Sequence, residues 1–175
     1  MLDYVVTPLS LALALAGTVL CLILLVIDLR HYLLPDRFVF PLGVTGLFFH
    51  TVLGFALLPA SQMVLGAMVG GGLLWLVRWA GTKYYKQEAM GLGDVKLMIA
   101  GGMWLGPTHI ITAIMVGAMV GLIHGLGCAT ANAIKTRTTI SIKRLIIPAG
   151  PGFIIGLWGV FAWTLGPVWI QTIFP

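Results

Sequence analysis

The sequence predicts an all-α, polytopic membrane protein of about six transmembrane helices, and three observations carry that prediction. Hydrophobic residues make up 59% of the 175 and charged residues only 9%, with a mean hydropathy of +1.05, where a soluble domain carries roughly 25% charged residues. The charge-free residues form four long blocks, 4–27, 38–77, 97–134 and 145–175, each long enough for one or two helices at about 20 residues per span. All ten Lys and Arg lie in or beside connections that six spans would place on one side of the membrane.

The first block gives a helix at about 6–27. The start "MLDYVVTPLS" has no basic n-region and no small-residue cleavage site, so this run is expected to be a retained helix and not a cleaved signal peptide. Block 38–77 must hold two helices, 38–57 and 61–80. "LLPASQ" (57–62) supplies the turn, because Pro59 cannot continue a helix interior and Ser61 can cap the next one. In block 97–134 the turn signal Gly106-Pro107 leaves a short helix at 94–105 and a full one at 108–132. The last block gives 147–168. Length allows one domain, 1–175.

Six spans put the connections 28–37, 78–94 and 133–146 on one face, which the positive-inside rule makes cytoplasmic, with both termini outside. Arg30, Arg37, Arg78, Lys83, Lys86, Lys96, Lys135, Arg137, Lys143 and Arg144 all belong to that face. Topology therefore accounts for the net charge of +5, and no nucleic-acid partner is implied.

Ionisable groups at membrane depth are costly and point to function, which singles out the five acids. Asp3 lies at the outer terminus. Asp28 follows "LCLILLVI" at the end of helix one, where the helix dipole disfavours an anion, so capping does not explain it. Asp36, in "LLPDRFVF", stands where an N-cap carboxylate is ordinary. Glu88 shares a loop with Lys83 and Lys86 and is expected to be solvated.

Asp94 opens the short helix. About twelve residues cover only ~18 Å of a ~30 Å hydrocarbon core, which sets Asp94 about 10 Å below the cytoplasmic surface. A cap alone could be Ser or Asn at lower desolvation cost.

Two carboxylates facing a water-accessible pocket can hydrolyse a peptide bond. One takes a proton from water; the other hydrogen-bonds the scissile carbonyl and protonates the leaving nitrogen, and close carboxylates naturally share one proton. The pair selected is Asp28 and Asp94, 66 positions apart. Counting from Pro8 puts Asp28 at the surface and Asp94 deeper, so whether they meet without substrate is left open. Gly91 and Gly93 allow close backbone approach to substrate or a neighbouring helix. Asp36, Gly91, Gly93 and Lys96 are expected to support the site or contact substrate.

Other chemistries find less support. There is no Gly-x-Ser-x-Gly, and Ser10, Ser61 and Ser141 lie far from a plausible base. His31, His50, His109 and His124 lack ligand spacing; His50 and His124 read as packing or interhelical hydrogen-bonding residues. Cys21 and Cys128 lie within apolar runs and read as packing residues. No metal or cofactor is expected.

At this point "IDLRHYLLPDRFVFPL" (27–42), "MGLGDVKLM" (90–98) and "IIPAGPGFIIG" (146–156) resemble the three signature regions of the type IV prepilin peptidases, membrane aspartyl proteases of the GxGD class. The resemblance implies that Asp28 matches the first catalytic aspartate and Asp94 the second. It also implies the substrate: prepilin, pseudopilin or flagellin-like precursors, cut at the cytoplasmic face of the plasma (inner) membrane between a short basic leader and a hydrophobic helix. Larger members carry paired Cys-x-x-Cys motifs and N-methylate the mature pilin. This chain resembles the compact peptidases, so methyl transfer and zinc are not expected. The rival reading is a small proton- or cation-coupled transporter using the same aspartates. It predicts an internal repeat, and comparing 5–60 with 94–150 finds none.

Overall fold

A computed structural model describes residues 7–88, 90–136 and 149–173. These form five helices: α1 (Pro8–His31), α2 (Asp36–Val52), α3 (Ala60–Tyr85), α4 (Leu92–Thr136) and α5 (Ala149–Ile173). Among the described residues there is no strand.

Helix α1 starts where local chemistry dictates. Thr7 accepts the Ser10 N–H at 3.2 Å, and Pro8 occupies the first turn, where its missing N–H costs nothing. Its buried residues are Ser10, Ala14, Gly17, Cys21, Leu24 and Asp28. Alternating steps of four and three keep these on one stripe of the helix, so Asp28 ends an inward-facing row. Tyr32, in the left-handed region at φ 54°, terminates the helix.

Helix α2 begins and ends earlier than the predicted 38–57. Its end is set by a turn in which Gly54 and Phe55 take φ of 61° and 58°, a conformation that stops helix propagation. Ser61 does not cap α3: the N-cap is Pro59, without a side-chain hydrogen bond, and Ser61 lies inside the first turn.

The predicted short and long helices, 94–105 and 108–132, are the two arms of α4. Gly106 breaks the helical path between them, at φ 70° and ψ 179°, a region open in practice only to glycine. Leu58 closes over the break, 2.7 Å from where a Gly106 side chain would begin. Pro107 then opens the second arm.

Helix α4 packs against α2, α3 and α5, and α1 closes the ring by touching α2 and α5. The α3–α4 contact is backbone on backbone. A methyl group added at Gly66 would overlap the Gly102 carbonyl oxygen, and one at Gly102 would overlap the Gly66 oxygen, so "GAMVGGGLLWL" (66–76) does serve close helix packing. Between α1 and α2 the core is organised by Trp104. Its indole N–H donates to the Leu42 carbonyl at 2.8 Å, and its own carbonyl accepts from His50 Nε2 at 3.1 Å. Gly17 and Gly46 leave room for the ring, which approaches their missing side chains to 2.8 and 2.7 Å. His50 thus makes the interhelical bond read from the sequence.

Three helices, α1, α3 and α4, have stretches long and apolar enough to cross a membrane, yet only 28% of each apolar window is buried in the bundle. The remaining faces carry Leu15, Val19 and Leu22 on α1, and Met115, Met119 and Leu122 on α4. A bundle apolar inside and out is a multi-pass membrane protein. The termini's first residues, and most of the third basic connection, lie outside the described residues, as does the Cys128 side chain.

Candidate active site

The end of the bundle where α1 finishes and α4 and α5 begin gathers most of the polar chemistry. Asp28 and Asp94 are the two acids buried there, 5% and 9% exposed. Both border one small space beside Gly150. A methyl group at Gly150 would overlap Asp28 Oδ2 and lie 3.2 Å from Asp94 Oδ1. A single water hydrogen-bonding two oxygens spans up to about 5.5 Å, so one water can touch both carboxylates. Depth counting sets the two acids at different levels, yet both carboxylates border this one gap.

Their supports differ. Asp94 is the third residue of α4, and its carboxylate accepts the backbone N–H of Gly91, the back-reaching half of a capping box. Asp28 Oδ2 is buried with no hydrogen-bond partner among the described residues. An acceptor oxygen left so is costly unless water or a ligand reaches it.

The two glycines of "MGLGD" divide the work. Gly91 supplies the N–H. Gly93 supplies clearance, since a side chain there would begin 2.8 Å from Leu34 Cβ in the α1–α2 connection. Asp36 does not cap α2, whose N-cap Pro35 makes no side-chain bond. Its carboxylate instead pairs with Lys96 at 2.6 Å, both side chains well exposed. Lys96 is two residues beyond Asp94, about 200° around the helix. This pair therefore faces α2, beside an apolar cavity of about 410 Å³ between α2 and α4, and stands outside the dyad's gap. Glu88 is not merely solvated: it pairs with Arg78 of α3 at 2.9 Å. Among the described residues no group of three His, Cys, Asp or Glu could hold a metal ion.

Residues 15–126, both aspartates included, match the family model described as the type IV leader peptidase family. The chain belongs to that family. Curated relatives include the prepilin leader peptidase/N-methyltransferases of Xanthomonas campestris pv. campestris, Escherichia coli (strain K12) and Dickeya chrysanthemi. They are 37% identical over 137 residues (78% of this chain, 45% of the relative), 36% over 145 residues (81% and 60%) and 40% over 114 residues (63% and 40%). The chain thus spans about half the length of the curated relatives it matches. No solved structure matches it significantly.

Two residues at this end of the bundle escape sequence reasoning. Gly150 lies in a quoted signature, but nothing in sequence spacing said that it faces the dyad. In the sequence Arg78 reads only as a topology determinant. Its one visible signal was position: the basic residue that ends a 40-residue charge-free block, 38–77.

Proposed function

We propose that this chain is a membrane aspartyl endopeptidase that removes the basic leader from type IV prepilin-like or pseudopilin-like precursors. The observation that carries the reading is the convergence of Asp28 and Asp94, 66 positions apart, on the one gap beside Gly150. Family membership supplies the substrate class, and disfavours the transporter alternative.

In this mechanism a water held between the carboxylates loses a proton to one of them as it attacks the scissile carbonyl. The other, protonated, donates a hydrogen bond to that carbonyl oxygen and later protonates the leaving amide nitrogen. The pair then holds one proton again, ready for the next cycle. The unpartnered Asp28 Oδ2 is a ready acceptor for the water, and the Gly91 N–H keeps Asp94 aimed at the same place.

The proposed topology is six spans, with the arms of α4 counted separately and both termini outside. It places the dyad end, where Arg30, Arg37, Arg78, Lys83 and Lys86 also lie, at the cytoplasmic face of the plasma membrane. There the junction between a cytoplasmic leader and a membrane-embedded helix comes within reach. The N-methyl transfer in the relatives' names is not carried over, because the sequence has two cysteines and no Cys-x-x-Cys.

The test is a cleavage assay. Purified wild-type chain in detergent or vesicles is mixed with a precursor bearing a basic leader from the same genome, and the product is weighed by mass spectrometry. Loss of the leader mass at a single bond is expected. Intact precursor in the presence of folded protein, across every such precursor, would overturn the reading.

A further inference from the structure

Arg78 stands on α3, and its side chain is only 16% exposed. Among the described residues its guanidinium makes two bonds. Nη2 reaches Glu88 Oε1 at 2.9 Å, and Nη1 donates to the main-chain carbonyl of Met90. The first partner is 79% exposed, and an ion pair so open to solvent contributes little. The second bond is directed at a particular peptide.

The Met90 carbonyl and the Gly91 N–H belong to one rigid, planar peptide unit. Arg78 grips the oxygen side of that plane, while the nitrogen side donates to the Asp94 carboxylate, whose Oδ2 lies 3.5 Å from where a Gly91 side chain would begin. Fixing the carbonyl fixes the direction of the N–H. Hydrogen bonds in such a chain also strengthen one another, because a donor on the carbonyl polarises the amide and sharpens its N–H.

We infer that Arg78 is a positioning residue for the second aspartate, acting through the Met90–Gly91 peptide. This rests on the peptidase reading given above. Arg78 touches neither carboxylate; it sets the plane of the peptide that aims Asp94 into the gap beside Gly150. Gly93 belongs to the same device, since its clearance against Leu34 lets this turn sit close to the α1–α2 connection.

Four variants assayed beside wild type test the inference, with kcat and KM on a leader-bearing precursor and thermal unfolding in the same detergent. Arg78→Gln should lower kcat by about 10- to 100-fold, the worth of a hydrogen bond to a charged group, with KM changed less than about threefold because substrate contacts are untouched. Arg78→Lys keeps a charged donor and should recover most of the loss. Glu88→Gln should stay within about twofold of wild type, because Glu88 is itself solvated and the ion pair it makes is weak. Gly91→Pro removes the N–H itself and should lose as much as Arg78→Gln. Combining the two should cost no more than either alone, because they break one chain of bonds.

Wild-type kcat in folded Arg78→Gln would overturn the inference while leaving the peptidase standing. So would a loss confined to KM, or full additivity with Gly91→Pro. Should Arg78→Gln fail to fold, Arg78→Lys and Gly91→Pro carry the test: a Lys variant no better than background, or a Gly91→Pro variant with wild-type kcat, overturns it. Absence of cleavage by the wild type is a different result, and strikes the peptidase reading itself.

Discussion

The last turn of α1 and the first turn of α4 each deliver one aspartate to the same gap, yet they hold it in opposite ways. Asp94 stands at a helix N-terminus, where free N–H groups favour a carboxylate. It is gripped by the Gly91 N–H and, through that peptide, by Arg78 of a third helix. Asp28 stands at a helix C-terminus, where the dipole opposes an anion, with one oxygen unpartnered among the described residues. Its placement comes from packing: it ends the buried row that runs through Ala14, Gly17, Cys21 and Leu24. One carboxylate is aimed by hydrogen bonds and the other by the rigidity of a helix. The dyad therefore has two kinds of weak point, and substitutions can tell them apart.

The largest effect short of deleting a carboxylate is expected at Gly150. A side chain there overlaps Asp28 Oδ2 and crowds Asp94 Oδ1, so the less firmly held Asp28 must give way. Displacing a catalytic group by about 1 Å costs on the order of 100-fold. Gly150→Ala should therefore lose about that much in kcat, as measured by initial cleavage rates, with folding intact. Next comes the hydrogen-bonded side, where Arg78→Gln should cost the smaller factor set out above.

Deeper in the bundle the expected change is in stability rather than chemistry. Gly46→Leu drives a side chain into Trp104, 2.7 Å from the added carbon. Overpacking of this kind costs ~2 kcal/mol, and thermal unfolding in detergent should show it as a lower midpoint. The smallest effect is expected at Asp36→Asn, which breaks an exposed pair with Lys96 worth less than about 1 kcal/mol. Its cleavage rate should stay within about threefold of wild type, and a large loss would draw Asp36 into the site.

Much of this was legible in the sequence, for physical reasons. Charge-free blocks mark apolar helices, and Gly106-Pro107 marked the break in α4 to the residue, because only glycine takes the backbone angles found there. The carboxylates stood out because acids are so scarce in an apolar chain. The opposition of Asp28 to its helix dipole was visible, whereas the inward row of α1 that ends on it was not, because that helix is apolar on every face.

What stayed hidden was three-dimensional. Depth counted in residues left Asp28 and Asp94 at different levels, since linear counting ignores how helices tilt against one another. Ser61 and Asp36 looked like caps by type, yet the chain used Pro59 and Pro35 at those positions. Arg78 and Gly150 act on atoms of other helices, and no spacing along the chain announces such a contact.

The central claim is that Asp28 and Asp94 act as one unit. The most direct measurement is cleavage of a leader-bearing precursor by folded Asp28→Asn, by Asp94→Asn and by the double variant. Each single variant is predicted to lose roughly 1,000-fold or more, the scale of general acid–base catalysis, and the double variant no more than either. Near-wild-type cleavage by either single variant would contradict the account.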